Sequence, residues 1–166
     1  MLNADDELQR LRQSSSDAAN KASIQLSAES ADSAELLSRC TEVLEVVLQR
    51  PEPAWPDLSV WQRVLPAWFV QACAPERTAE EAQADLIRWR TLSPAEQKCA
   101  DEESRWSLSD WLWWLEPDNR TWYWLGADLI GRHQLLIYLE TDGDPSPTGA
   151  IHWLLKAAGA ARVDET

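Results

Sequence analysis

The side chains able to do chemistry are few, and their spacing limits what they could do. Three cysteines, Cys40, Cys73 and Cys99, stand 33 and 26 residues apart. An odd number at such intervals fits neither a disulfide framework nor a paired zinc knuckle, so they read as small buried hydrophobes with inert thiols. A Cys-His nucleophile would need a thiol of lowered pKa beside one of only two histidines, His133 and His152. Both histidines read instead as surface or edge residues. The run Asp101-Glu102-Glu103 could hold an acid and a base, but successive helical residues point ~100° apart, which makes it a solvated face. Asp142 and Asp144 flank Gly143 without the spacing or terminal Glu of a calcium loop, leaving an ordinary turn. Five glycines supply no phosphate cradle, and neither a serine elbow nor a two-histidine zinc helix occurs. The expectation is no catalytic residue, no metal and no cofactor.

Tryptophan carries more information. Eleven are present against one Phe and two Tyr, and every aromatic residue falls between Trp55 and Trp153. Trp61, Trp68, Trp89 and Trp111 sit on apolar stripes and are expected to anchor the core. Trp113 lies about 140° from Leu108, and Trp153 about 160° from the stripe of the last helix, if each residue advances ~100°. In the stretch TWYWLGA, Trp122 and Trp124 share one face of a strand while Tyr123 and Leu125 share the other. Either helices sandwich this region on both faces, or an aromatic patch stays exposed. In the second case Trp113, Trp122, Trp124 and Trp153 are the candidate binding residues, because contiguous apolar surface on a monomer marks an interaction site and Trp is enriched at interface hot spots.

The elements that position these residues are dense from Ser33 onward. Ser33 reads as the N-cap of a helix whose stripe is Leu37, Cys40, Leu44, Val47 and Leu48 and which Pro51 and Pro53 end. Leu58 to Ala74 should break into two short helices at Pro66. Thr78 with Glu81 and Ser93 with Glu96 form capping boxes, the second with Pro94 in the first turn. The first of these helices carries the stripe Ala82, Leu86 and Trp89, the second Cys99. Ser107 and Asp110 repeat the device before Leu108, Trp111, Leu112 and Leu115, and Pro117 closes that helix. Thr121 to Ala127 and Gln134 to Thr141 fit an antiparallel hairpin turning near Gly131. Ser146 and Pro147 open a last helix with stripe Ile151, Leu154, Leu155 and Ala158, ended by Gly159. The fold class is α+β, mostly α: a compact bundle of five or six short helices with one antiparallel hairpin packed on it.

Residues 13 to 33 are small and polar, with Ile24 and Leu26 their only large apolar members. Such a segment buries too little to offset its ordering entropy. Residues 1–32 are therefore expected to be a flexible polar arm with a short helix around Glu7 to Arg12. Residues 33–161 form a single Trp-rich domain, and 162–166 fray.

Composition narrows the function classes. With 166 residues, at ~100–200 per domain, the chain is one domain that needs no disulfide or metal staple. Twenty-eight acids against fifteen bases give a net charge of −13, which argues against phosphate binding and anionic membranes. No apolar run approaches the ~18–20 residues of a bilayer helix, and no secretory signal is recognisable, so the expected location is cytoplasmic. The leading expectation is a non-catalytic protein-binding module, such as an adaptor, inhibitor or immunity-type protein, steered by its negative field onto another protein with a basic surface. The competing classes are a small-ligand protein with a Trp-lined pocket for a sugar or quaternary ammonium, an enzyme of unfamiliar type with no nameable catalytic residue, and a nucleic-acid mimic that blocks a basic groove. Arg77, Arg88, Arg90, Lys98 and Arg105 interrupt any phosphate-like array of acids in the last of these.

Overall fold

A computed structural model describes residues 3–13, 17–50, 54–143 and 145–166. Helix α1 (Ala4–Arg12) and the single turn α2 (Ala18–Lys21) precede strand β1 (Ile24–Glu29). Helices α3 (Ser33–Leu48), α4 (Leu58–Val64) and α5 (Ala67–Ala72) follow, then α6 (Ala79–Arg90), α7 (Pro94–Glu103) and α8 (Leu108–Leu115). Strands β2 (Trp122–Ile130) and β3 (Gln134–Thr141) come next, before α9 (Gly149–Ala158) and β4 (Arg162–Glu165). The architecture is α+β, with nine helices and one four-stranded antiparallel sheet of order β2-β3-β1-β4 among the described residues. The expectation of five or six helices carrying one hairpin falls short on both counts: the β2–β3 ribbon forms, but as half of a larger sheet.

The two missing strands come from the segments expected to be loose. β1 pairs with β3 along Ile24↔Leu139 to Glu29↔Gln134 and with β4 along Leu26↔Glu165 to Glu29↔Arg162. Residues 1–32 are thus not a flexible arm where they are described, and 162–166 do not fray. The reason is tertiary. Leu26 and Ala28 are fully buried against side chains that β3 and the helices supply, and the ladders on both sides satisfy the backbone polar groups that a lone polar segment would leave to water.

The core lies between the front face of this sheet and a layer of helices. Leu26, Ala28, Trp122, Trp124, Leu135, Ile137 and Leu139 meet α3 and α9, with α4, α5 and α8 packed around them. Trp61, Trp111, Trp122 and Trp124 are all essentially inaccessible, and each ring takes ~200 Å² out of water, worth about 5 kcal/mol of transfer free energy. A register shift between Trp124 and Gly126 leaves Leu125 as an extra residue on β2. Leu125 lies on the back of the sheet, where it joins Tyr138, Leu136, Ala18 of α2 and Ala22 just after that helix in a second, smaller cluster.

Most helix signals act where the spacing put them. Pro66 separates α4 from α5, both capping boxes are present, and Gly159 ends α9 at φ 120°. The cap of α3 shifts by one residue. Asp32, not Ser33, accepts from Ala34 N and Glu35 N, while Ser33 Oγ donates to Gly131 O at 2.8 Å and fastens the hairpin turn to the helix start. The buried stripe of α3 shifts accordingly to Leu36, Cys40, Val43, Leu44 and Val47. Pro51 and Pro53, expected to end it, and Asp144 of the expected turn lie outside the described residues.

Candidate functional site

Of the four indoles singled out from sequence, one remains at the surface. Trp113 is 49% exposed, and its ring meets Trp114 edge-on with centroids 4.8 Å apart. Trp122, Trp124 and Trp153 are buried, so the structure does not bring the four together as an exposed patch. For Trp122 and Trp124 the sandwich alternative holds: both lie in the core, while Leu125 on the opposite face is covered by α2. Trp153 fails the helical-wheel test for a different reason. α9 runs through the middle of the molecule, touching α3, α5, α8 and β4, so it has no solvent face at that position. The Trp153 indole N–H makes no full hydrogen bond; beside it is the Cys73 thiol, which burial pushes up to about 11 against a smaller opposing effect of that indole.

The surface that does gather tryptophans is a groove of about 1100 Å³ between the α6–α7 hairpin and the body, with Trp89, Trp106 and Trp114 among its walls. It is built from the chain upward. The capping boxes of α6 and α7 fold the hairpin locally, yet neither helix has a single buried residue. Leu86 and Ile87 of α6 are 46% and 56% exposed. The expectation that Trp89 anchors the core is thereby corrected: its ring belongs to this outer hairpin, where its Nε1 donates to Asp101 Oδ1 across the helix pair at 2.9 Å. Cys99, expected to be buried, is exposed on α7 because that helix has no core to face.

The body side is tied together by backbone pairing and close packing. Ala74 N donates to Trp106 O at 2.8 Å, and Ala74 bridges to Ser107, which caps α8. A Cβ on Gly149 would lie 3.0 Å from Trp106 Cζ2, so the glycine at the start of α9 is what lets the indole lie against that helix. Arg77 ties the hairpin to the body: its guanidinium reaches Asp85 of α6 at 2.9 Å and Asp110 of α8 at 3.7 Å. Asp85 also receives Arg88 at 2.5 Å. Two groove charges stay outside this network. Among the described residues the Asp101 carboxylate has only the Trp89 indole as a partner, and Arg105 meets no carboxylate.

Elsewhere three titratable clusters serve the structure. The Glu7 carboxylate, 1% exposed, takes both Arg120 terminal nitrogens at 2.5 and 2.9 Å and also the Trp124 backbone N–H at 2.7 Å, while the Arg120 guanidinium lies 4.9 Å from the Trp122 ring centre. His133 sits at the hairpin turn, 3.2 Å from Ser30 O, and His152 Nε2 is 3.2 Å from Glu165 Oε2. Among the described residues no three His, Cys, Asp or Glu side chains gather as metal ligands, and no helix is long and apolar enough to cross a membrane.

Sequence reasoning missed Trp106, Trp114, Arg77 and Arg105 as site residues. One signal was available. The segment forming α7, PAEQKCADEE, has too few apolar residues to bury a face, so a helix paired with it has little to hold it in a core. No protein-family model matches the chain, and neither a curated protein nor a solved structure is found to resemble it.

Proposed function

We propose that this chain is a non-catalytic, acidic, cytoplasmic protein-binding module whose recognition surface is the groove under the α6–α7 hairpin, with Trp113 beside Trp114 at its margin. The observation that carries the reading is the hairpin itself. Twenty-two helical residues, twelve in α6 and ten in α7, are held by strong local caps and contribute no buried side chain, while Trp89 of α6 and Trp106 and Trp114 of the facing body stay partly open in the groove between them. A folding rationale alone does not account for that expenditure of chain, whereas a partner that covers Leu86, Trp89 and Trp106 does. The net charge of −13 supports a partner with a basic surface, drawn in by long-range attraction and retained by desolvated indoles.

A Trp-lined pocket for a small ligand is the second reading, and the same groove favours it. Its volume, about 1100 Å³, stands at or above the upper end of the ~300–1,000 Å³ usual for small-molecule sites, and this tips the balance toward a macromolecular occupant. Affinity capture with the intact chain, with Trp113→Ala and with Leu86→Asp decides the matter. These residues are exposed enough for both variants to fold. The expected result is a captured protein that both variants lose while their far-UV circular dichroism is unchanged. Equal capture by all three proteins, or no capture by the intact one, overturns the reading.

A further inference from the structure

The occupant of the groove can be specified further, on the premise that the groove is the recognition surface. We propose that it takes a linear segment of a partner protein in which apolar side chains alternate with Lys or Arg. The argument rests on which groups in the groove are already satisfied. Asp85 and Asp110 are neutralised by Arg77 and Arg88 within the molecule, so they neither demand nor repel a ligand charge strongly. Among the described residues the Asp101 carboxylate is left with an indole N–H and no cation. Asp101 opens the exposed run Asp101-Glu102-Glu103 at the end of α7, where Lys98 stands 4.0 Å from the Glu102 carboxylate and Lys156 of α9 donates to the Glu102 backbone oxygen. A cationic side chain entering there meets a carboxylate and the Trp89 ring together, the combination that favours a guanidinium or ammonium over a neutral group.

Arg105 supplies the second half of the specification. Its guanidinium has no carboxylate partner among the described residues, and Arg105 lines the groove together with Trp106. A bare polycation would be repelled there. A polypeptide is not, because its carbonyl oxygens accept from the guanidinium while its cationic side chain goes to Asp101. A nucleic-acid strand would bring phosphates against Asp101 and the acids that follow it. A neutral sugar would leave both free charges uncompensated. Between them, Trp106 and Trp114 offer apolar walls for the intervening side chain.

Fluorescence anisotropy with dye-labelled peptides of about twelve residues tests this: one alternating Lys and Leu, one alternating Glu and Leu, titrated at physiological salt so that the general field is screened. The Lys/Leu peptide is expected to bind. Trp89→Ala should weaken it about thirtyfold, as loss of a hot-spot ring does, and Asp101→Asn at least about threefold, as loss of a partly exposed ion pair does. Asp101→Asn keeps an acceptor for the Trp89 indole, so the hairpin is preserved. The Glu/Leu peptide should not bind. Equal binding of both peptides, or unchanged affinity in both variants, overturns the proposal, since attraction to an acidic surface at large would then explain the data. If neither peptide binds while Trp113→Ala and Leu86→Asp still abolish capture of a protein partner, the surface is right and the occupant chemistry proposed here is wrong.

Discussion

Two segments of this protein invert the ordinary relation between local signal and structural weight. Residues of β1 (IQLSAE) carry a faint local pattern, with Ile24 and Leu26 as the only large apolar members, yet they form an interior strand, bonded to β3 on one side and β4 on the other. The α6–α7 hairpin has the strongest local signals, two reciprocal capping boxes and a first-turn proline, yet it buries nothing. Caps and helix propensity are each worth ~1 kcal/mol and act on the segment that carries them. A strand inside a sheet draws its stabilisation from its neighbours, through ladder hydrogen bonds and the burial of residues such as Leu26 that α3 and β3 enclose. A strongly self-sufficient element is therefore free to stand outside the core, where it can serve a surface. A weak one has an ordered state only at the centre.

The largest effect that would break this contrast lies in the N-terminal segment. α1 has only Leu8 and Leu11 as large apolar residues, and its firm attachment is the Glu7 carboxylate, which joins Arg120 and the edge N–H of Trp124. Glu7→Ala leaves Arg120 buried and unpaired, and about 3–5 kcal/mol of global stability should be lost, read as a lower midpoint in urea denaturation. A change below ~1 kcal/mol would mean that α1 is an appendage after all and that the N-terminal segment is as peripheral as the hairpin. Adding Arg120→Met to Glu7→Leu removes both charges and should recover much of the loss, because a well-packed apolar pair often replaces a buried ion pair at little cost.

What could be read in the sequence divides along the same line. Boundaries set by local chemistry were legible: Pro66 between α4 and α5, Thr78 and Ser93 as caps, Gly159 at the end of α9, and the buried stripe Leu108, Trp111, Leu112 and Leu115 of α8. Features fixed by distant residues were not. The order of β1 depends on β3 and β4, each more than a hundred residues away, and Trp153 is buried because helices surround α9 on the side that a wheel diagram assigns to water. For the candidate site, the sequence singled out the residue class but not the members. A surplus of indoles was visible, whereas the choice of Trp89, Trp106 and Trp114 depends on a helix pair that leaves the body and is tied back to it by Arg77 and by Lys156 of α9, which donates to Glu102 O. Trp113 was identified by its angle because α8, unlike α9, does have a free face.

A smaller effect, confined to one region, sharpens the contrast from the other side. Thr78→Ala with Ser93→Ala removes the acceptors for Glu81 N and Glu96 N and should destabilise the hairpin by ~1 kcal/mol per cap. Because no hairpin side chain enters the core, global stability should change by less than ~0.5 kcal/mol. Amide exchange would rise within Ala79–Glu103 alone, with β1 and β3 keeping their protection. A parallel loss of protection in β1 would show the hairpin to be coupled to the core.

The smallest perturbation uses the three thiols as reporters, one in the hairpin and two in the body. Cys99 is exposed on α7, whereas Cys40 in α3 and Cys73 at the end of α5 are buried. A thiol reagent at neutral pH should therefore modify Cys99 fast in the native protein and without loss of the helical signal, since nothing packs against it. Burial holds Cys73 protonated up to about 11 and raises the Cys40 thiol further still, so neither offers a thiolate until the body opens. The same shifts fix the sign of an alkaline effect. In the unfolded chain these thiols lose their protons near the ordinary value of 9.0, while the folded chain retains them, so the stability they contribute is intact below about 9 and is progressively lost as pH rises toward about 11. Burial of Tyr123 and Tyr138 raises their phenols and acts in the same direction. Modification of Cys40 should accordingly follow global unfolding and accelerate above pH 9, while modification of Cys99 requires no unfolding at any pH; equal rates at the two sites would place α3 and α7 in the same environment and remove the distinction between core and hairpin.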